Sequence, residues 1–261
     1  MMRVAAALAR REFTRFIRQP QRVVGSVAQP VLFWIFMGAG FTGSFRPPGM
    51  EGVTYLEYFY PGVMLMMLLF ASIFSSITII EDRDQGFLQS VLVAPVSRLA
   101  IVLGKVFGAA SIGLSQVLLF AMAAPFLGLS MPFGSVLLLL GGMVLASVGF
   151  AALGFLVAWG LRSTAGFHAI MMVFLMPLWM LSGALFPVAG GPGWLGVVVA
   201  ANPVSHALTL LRAPFYAGPA ELFTTPSYLI SLAVTLTWAG GCLAASMWRV
   251  ERRERGAPIT A

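Results

Sequence analysis

The chain has 261 residues, of which 59% are hydrophobic and 10% charged, with a mean hydropathy of +0.91. A soluble domain carries about 25% charged residues, so this composition belongs to an integral membrane protein and leaves no room for a soluble catalytic domain of about 100 residues. The net charge of +7 and the isoelectric point near 10.5 then read as basic cytoplasmic ends that fix orientation and touch anionic lipid, not as a nucleic-acid surface.

In chain order, residues 3–18 predict an amphipathic helix within an interfacial segment 1–22. At about 100° per residue, Arg3, Arg10, Arg11, Arg15 and Arg18 share one side, and Ala6, Ala9, Phe13, Phe16 and Ile17 the other. A basic face opposite an aromatic face suits a helix lying on the cytoplasmic leaflet, with Arg10, Arg11, Phe13, Arg15 and Phe16 at the bilayer surface. With five arginines and no apolar core region, this stretch is not expected to be a cleavable signal peptide.

Six apolar segments follow at about 23–42, 59–80, 102–127, 136–160, 167–187 and 227–248, each near the length of about 20 residues that a bilayer requires. Together they predict one membrane domain over 1–261, with spans in 23–248 and a cytoplasmic tail at 249–261. Lys105, the only lysine, is expected to snorkel to the cytoplasmic surface from the start of the third span. Fourteen of the sixteen Lys and Arg fall on the side of the two termini, and only Arg46 and Arg212 fall on the other. That asymmetry predicts both ends in the cytoplasm. The last external connection, about 188–226, holds apolar stretches too short to span, separated by Asn202-Pro203. They read as re-entrant half-helices.

The most unusual stretch is the polar interruption 81–98, between the second and third spans. Four polar residues, Glu81, Asp82, Arg83 and Asp84, leave the membrane. Gly86 precedes a short amphipathic helix in which Phe87, Leu88, Val91 and Leu92 share a face turned to a partner or to the bilayer surface. Asp82 and Asp84 are expected in its first turn, where the helix dipole favours acids. Pro95 stops the helix, and Ser97 is placed to cap the next, which opens with Arg98.

The missing chemistry narrows the function. No Asp or Glu is expected inside a span, which counts against a proton- or sodium-coupled carrier. No Gly-x-x-x-x-Gly-Lys-Ser/Thr loop is present, so any ATP that drives the protein is bound by another chain. Ser182 and His206 make a weak peptidase pair, since the serine lacks the preceding glycine of a nucleophile elbow. Cys242 and two histidines offer no metal set. The pairs Gly104-x-x-x-Gly108 and Gly142-x-x-x-Ala146 allow close helix packing and weakly support a dimer face.

This pattern resembles the membrane subunit of ABC-2 type transporters, the permeases of drug, antibiotic and polysaccharide exporters. The resemblance covers nearly the whole chain. Its most specific residues are Glu81, Gly86, Leu92, Pro95, Ser97, Arg98, Gly104 and Lys105. Phe87 and Gln89 stand where the family often has threonine and glutamate. Leu181 to Pro187 followed by Asn202-Pro203 fits drug-export members. The resemblance implies an all-α, six-span permease of an exporter in a bacterial inner membrane, without its own catalytic site, metal or cofactor. It also implies two partner ATP-binding subunits carrying MgATP, and a second permease copy. The coupling residues it implies are Glu81, Asp82, Arg83, Gly86, Phe87, Leu88, Leu92, Pro95, Ser97 and Arg98, moving an amphiphilic cargo outward. An ion-coupled carrier and a non-transporting sensor are the alternative classes.

Overall fold

The computed structural model describes residues 1–41, 52–187 and 192–255, and among them only helices, turns and connecting segments occur. The order is α1 (Met2–Ile17), α2 (Pro20–Phe41), α3 (Tyr55–Ser75), α4 (Thr78–Asp84), α5 (Phe87–Val93), α6 (Arg98–Ala121), α7 (Phe133–Gly160), α8 (Thr164–Trp179), α9 (Gly193–Ala201), α10 (Pro203–Arg212), α11 (Pro219–Leu222) and α12 (Pro226–Arg255). Among the described residues six helical stretches are long and apolar enough to cross a membrane: Pro20–Phe41, Tyr55–Asp84, Arg98–Ala121, Phe133–Gly160, Thr164–Ala184 and Pro226–Arg252.

The boundaries differ from the expected ones for local reasons. The second span begins earlier, at a reciprocal cap in which Thr54 Oγ1 accepts from the Glu57 N–H and the Glu57 carboxylate accepts from the Thr54 N–H. The third runs from Arg98 to Ala121 and stops short of 127, because the chain turns into a 3-10 segment, Ala124–Leu127, that carries Pro125. The last helix continues to Arg255, so the expected tail starts as helix. Arg46 lies outside the described residues.

The core is built around α3. Phe59, Tyr60, Val63, Met64, Leu65, Leu68 and Leu69 on it are fully buried, and α6, α7 and α2 pack around it. At Gly113 the approach of α6 is close enough that an added Cβ would lie 2.2 Å from Ser72 Oγ and 3.2 Å from the Ser72 backbone nitrogen. Gly113→Leu is therefore expected to force α3 and α6 apart and cost about 1–3 kcal/mol, read as a lowered Tm of the purified protein. By contrast α2 is peripheral, with half of its residues exposed and only Pro30 and Gly38 buried.

At the end of the fifth span, Pro177 precedes a π-helical turn, Met180–Ala184, in which Gly183 takes a φ of +83°. The freed carbonyls are taken up by neighbours. Tyr58 donates to Gly183 O at 3.0 Å, Arg212 to the same oxygen at 3.0 Å, and Tyr55 to Leu185 O at 3.2 Å. Beyond it α9 and the helix from Pro203 bend by 84° at Asn202, whose side chain caps α10 and donates to Leu178 O. These are the two expected half-helices.

Candidate coupling site

The polar interruption folds as two helices rather than one. Gly86 holds a φ of +77°, a left-handed conformation that costs a residue with a Cβ about 1 kcal/mol, and it separates α4 from α5. Nothing lies within 4 Å of where its Cβ would stand. Asp82 and Asp84 thus fall in the last turn of α4, not in the first turn of α5 as expected. There the helix dipole opposes their charge, and at Asp82 cations from other helices offset it.

Those cations come from α1 and α6. Ala5, Leu8, Glu12 and Phe16 form the buried stripe of α1, at spacings of three and four residues. The stripe seats on Gly104 and Gly108 of α6, where added Cβ atoms would lie 2.7 Å from Leu8 Cβ and 2.9 Å from Glu12 Cβ. The first small-residue pair is therefore spent on α1, and Gly142 of the second lies against Leu210 of α10. Neither is left as a free face among the described residues. Seating α1 in this way drives Glu12 beneath it, towards Lys105.

Lys105 does not snorkel. It is 4% exposed and donates to Glu12 Oε1 at 2.7 Å and to Asp82 Oδ2. Asp82 is fully buried and receives a two-pronged Arg11 guanidinium, at 2.9 Å and 3.0 Å, plus Arg15 at 3.3 Å. Arg11 also reaches Glu12 at 3.0 Å, and Arg15 reaches Glu81 at 2.7 Å. Three cations meet three carboxylates in one network joining α1, α4 and α6. The hydrogen bonds that the Arg11 guanidinium donates to Asp82 raise its pKa above the ordinary value. Removing one partner from a buried pair of this kind typically costs about 3–5 kcal/mol, because the other charge is stranded.

The same network fixes α5. The Arg11 guanidinium lies 3.7 Å from the centre of the Phe87 ring. Arg83 donates to Leu161 O at 2.7 Å and Trp159 O at 3.0 Å, which ties α4 to the end of α7. Leu88 is 3% exposed and belongs to the core, and Leu92 is half-buried against it. The expectation that Leu88 faces a partner or the bilayer is thereby corrected: the apolar side of α5 is the side that holds it to its own chain. The outward ridge consists of Asp84, Gln85, Gly86, Gln89, Ser90, Val93 and Pro95, with Val93 87% exposed. Ser97 caps α6 by accepting from the Ala100 N–H, and Arg98 donates to Leu92 O at 2.9 Å.

The profile of the ABC-2 type transporter family matches residues 3–216. The chain belongs to the ABC-2 type transporter family. It is 30% identical to ycf38 of Cyanophora paradoxa, described as a transport permease, over 86% of this chain and 78% of that protein. It is 26% identical to DrrB1 of Streptomyces coeruleorubidus, a daunorubicin resistance ABC transporter permease, over 77% of this chain and 71% of the other. Against YbhR of Escherichia coli K12, described as a multidrug ABC transporter permease, identity is 29% over 75% of this chain and 53% of the other. The chain is a multi-pass membrane transport permease, and ABC-2 permeases work with ATP-binding subunits in ABC transporters.

Within this permease the residues expected at the bilayer surface divide. Arg10 is exposed and Phe13 half-buried, on the outer side of α1. Phe16 is buried, and Arg11 and Arg15 turn inward to Asp82 rather than to lipid. Ser182 donates to Trp179 O at 2.6 Å, and His206 bonds Ser231 Oγ and Ala200 O. Each of that weak pair is engaged elsewhere. Glu12 and Lys105 are the residues the sequence reading missed. The signal available was the single acid on a helix of arginines, in phase with Ala5, Leu8 and Phe16.

Proposed function

We propose that this permease is the membrane half of an ATP-driven exporter of amphiphilic molecules, coupled through α4 and α5 to a separate ATP-binding subunit that carries MgATP. Two ATP-binding subunits and a second permease copy complete the assembly, in a bacterial inner membrane with both termini cytoplasmic. The observation that carries the reading is the buried network around Asp82. It makes α1, α4 and the start of α6 one block directly behind the outward ridge of α5, so a push on that ridge is delivered to two spans and to the interfacial helix together. The multidrug and daunorubicin-resistance names of two relatives support export.

Two results are expected. In a background with Cys242 replaced by alanine, a cysteine at Thr225 labels from outside intact cells and one at Gln89 does not; labelling of Gln89 overturns the orientation. In inverted vesicles holding the permease and its ATP-binding subunit, ATP drives cargo uptake, and a protonophore leaves the rate unchanged at constant ATP. Collapse of uptake on adding the protonophore selects the ion-coupled carrier instead.

A further inference from the structure

A cavity of about 220 Å³ opens between α2, α3, α6 and α8, capped at its cytoplasmic end by Phe16 of α1. Its two walls differ in chemistry. Met67, Phe70 and Phe74 of α3, with Met172 and Met176 of α8, form an apolar wall of unbranched and aromatic side chains. Such side chains adapt to ligand shape. On the other wall, Arg22, Ser26 and Gln29 repeat at helical spacing on one face of α2, and Gln116 of α6 joins them.

Ser26 donates to Val23 O at 2.9 Å, but two of these side chains have no protein partner. Among the described residues the Arg22 guanidinium forms no ion pair or hydrogen bond, and it lies 6.0 Å from the Phe16 ring. Gln116 is 4% exposed, yet its amide makes no hydrogen bond to any described residue and borders the cavity. An amide that faces an apolar cavity without a protein partner favours a guest that can hydrogen-bond to it, and a cation beside an apolar wall calls for an anion. Both deficits are met at once by one kind of guest. Seven residues of helix place Gln29 about 10 Å deeper than Arg22, so the guest carries its anion at the cytoplasmic end and a carbonyl or hydroxyl group further along.

We infer that this cavity is a loading site for a single-chain anionic amphiphile that also bears a hydrogen-bonding group on its apolar body. The anion sits at Arg22, the second group at Gln29 and Gln116, and the chain on the methionine and phenylalanine wall. The cavity is smaller than the ~300–1,000 Å³ usual for enclosed ligands. The rest of the guest therefore continues out between α2 and α8. This assignment of cargo class rests on the export reading above, but the site is testable without it.

The test uses the purified permease alone in phosphatidylcholine nanodiscs. N-dodecanoylglycine and dodecyltrimethylammonium are each titrated below their micelle concentrations, and Tm is followed. The anionic amide is expected to raise Tm saturably and the cation to leave it unchanged. Arg22→Gln is expected to weaken the anionic amphiphile about tenfold, with Arg22→Lys keeping most of the affinity. Gln116→Leu is expected to weaken it about fivefold. Met172→Trp, placed where the side chain is half exposed, fills the cavity and abolishes the shift without touching the polar wall. Equal shifts by both amphiphiles, or no change in Arg22→Gln and Met172→Trp, overturn the site. Competition by phosphatidylglycerol as strong as by the single-chain anion also overturns it, since that marks a resident lipid. Binding with these variant effects but no ATP-driven uptake leaves the site standing and sinks the export reading. Uptake of an anionic cargo unaffected by Arg22→Gln does the reverse.

Discussion

Lys105→Met should be the most damaging single change where α1, α4 and α6 meet in this permease. The substitution keeps the length and apolar stem of the side chain but removes the ammonium that joins Glu12 to Asp82. Asp82 retains Arg11 and Arg15, while Glu12, 3% exposed, keeps only its contact with half-exposed Arg11. A stranded buried carboxylate costs about 3–5 kcal/mol, so the yield of folded protein in membranes should fall steeply and Tm should drop by several degrees. Adding Glu12→Gln removes the stranded charge and should recover most of the stability. Wild-type Tm in Lys105→Met would show that the network carries no load. No recovery in the double variant would show that Lys105 acts by packing alone.

Changes on the ridge of α5 should leave the fold intact and remove the partner. Val93 is the large apolar side chain most open there, flanked by Gln89 and Ser90. A few anchoring side chains at such an interface are worth about 2 kcal/mol or more each, or roughly thirtyfold in affinity. Val93→Asp and Gln89→Trp should therefore insert at wild-type levels and lose the co-purifying ATP-binding subunit. Leu88→Asp should behave differently: it buries a charge in the core and lowers the amount of folded permease itself. Normal partner recovery from Val93→Asp and Gln89→Trp together would place docking elsewhere.

The contrast between Leu88 and Val93 shows where sequence reading reaches and where it stops. Apolar runs near 20 residues locate the six spans, because a bilayer demands that length whatever the helices touch. The periodicity of Phe87, Leu88, Val91 and Leu92 likewise locates a short amphipathic helix. It does not say whether that face meets a partner or its own chain, since both burials require the same residues. Gly86 read as the residue before a short helix, and only its left-handed backbone shows that it divides two helices and puts Asp82 at the wrong end of the dipole. Glu12 and Lys105 were missed for a related reason. Each looks like a residue bound for water, and only seating α1 on Gly104 and Gly108 brings them together.

In the proposed assembly the Asp82 network passes the motion of the ATP-binding subunit to the spans. This transfer is tested most directly by the ratio of cargo moved to ATP hydrolysed in the reconstituted complex, comparing wild type with Asp82→Asn at equal amounts of folded, partner-bound protein. Couplings of this kind are typically about 1–3 kcal/mol, or roughly 5–150-fold. The ratio is expected to fall at least about fivefold while partner recovery and ATP hydrolysis persist. A ratio equal to wild type, whether both rates fall together or neither changes, contradicts it.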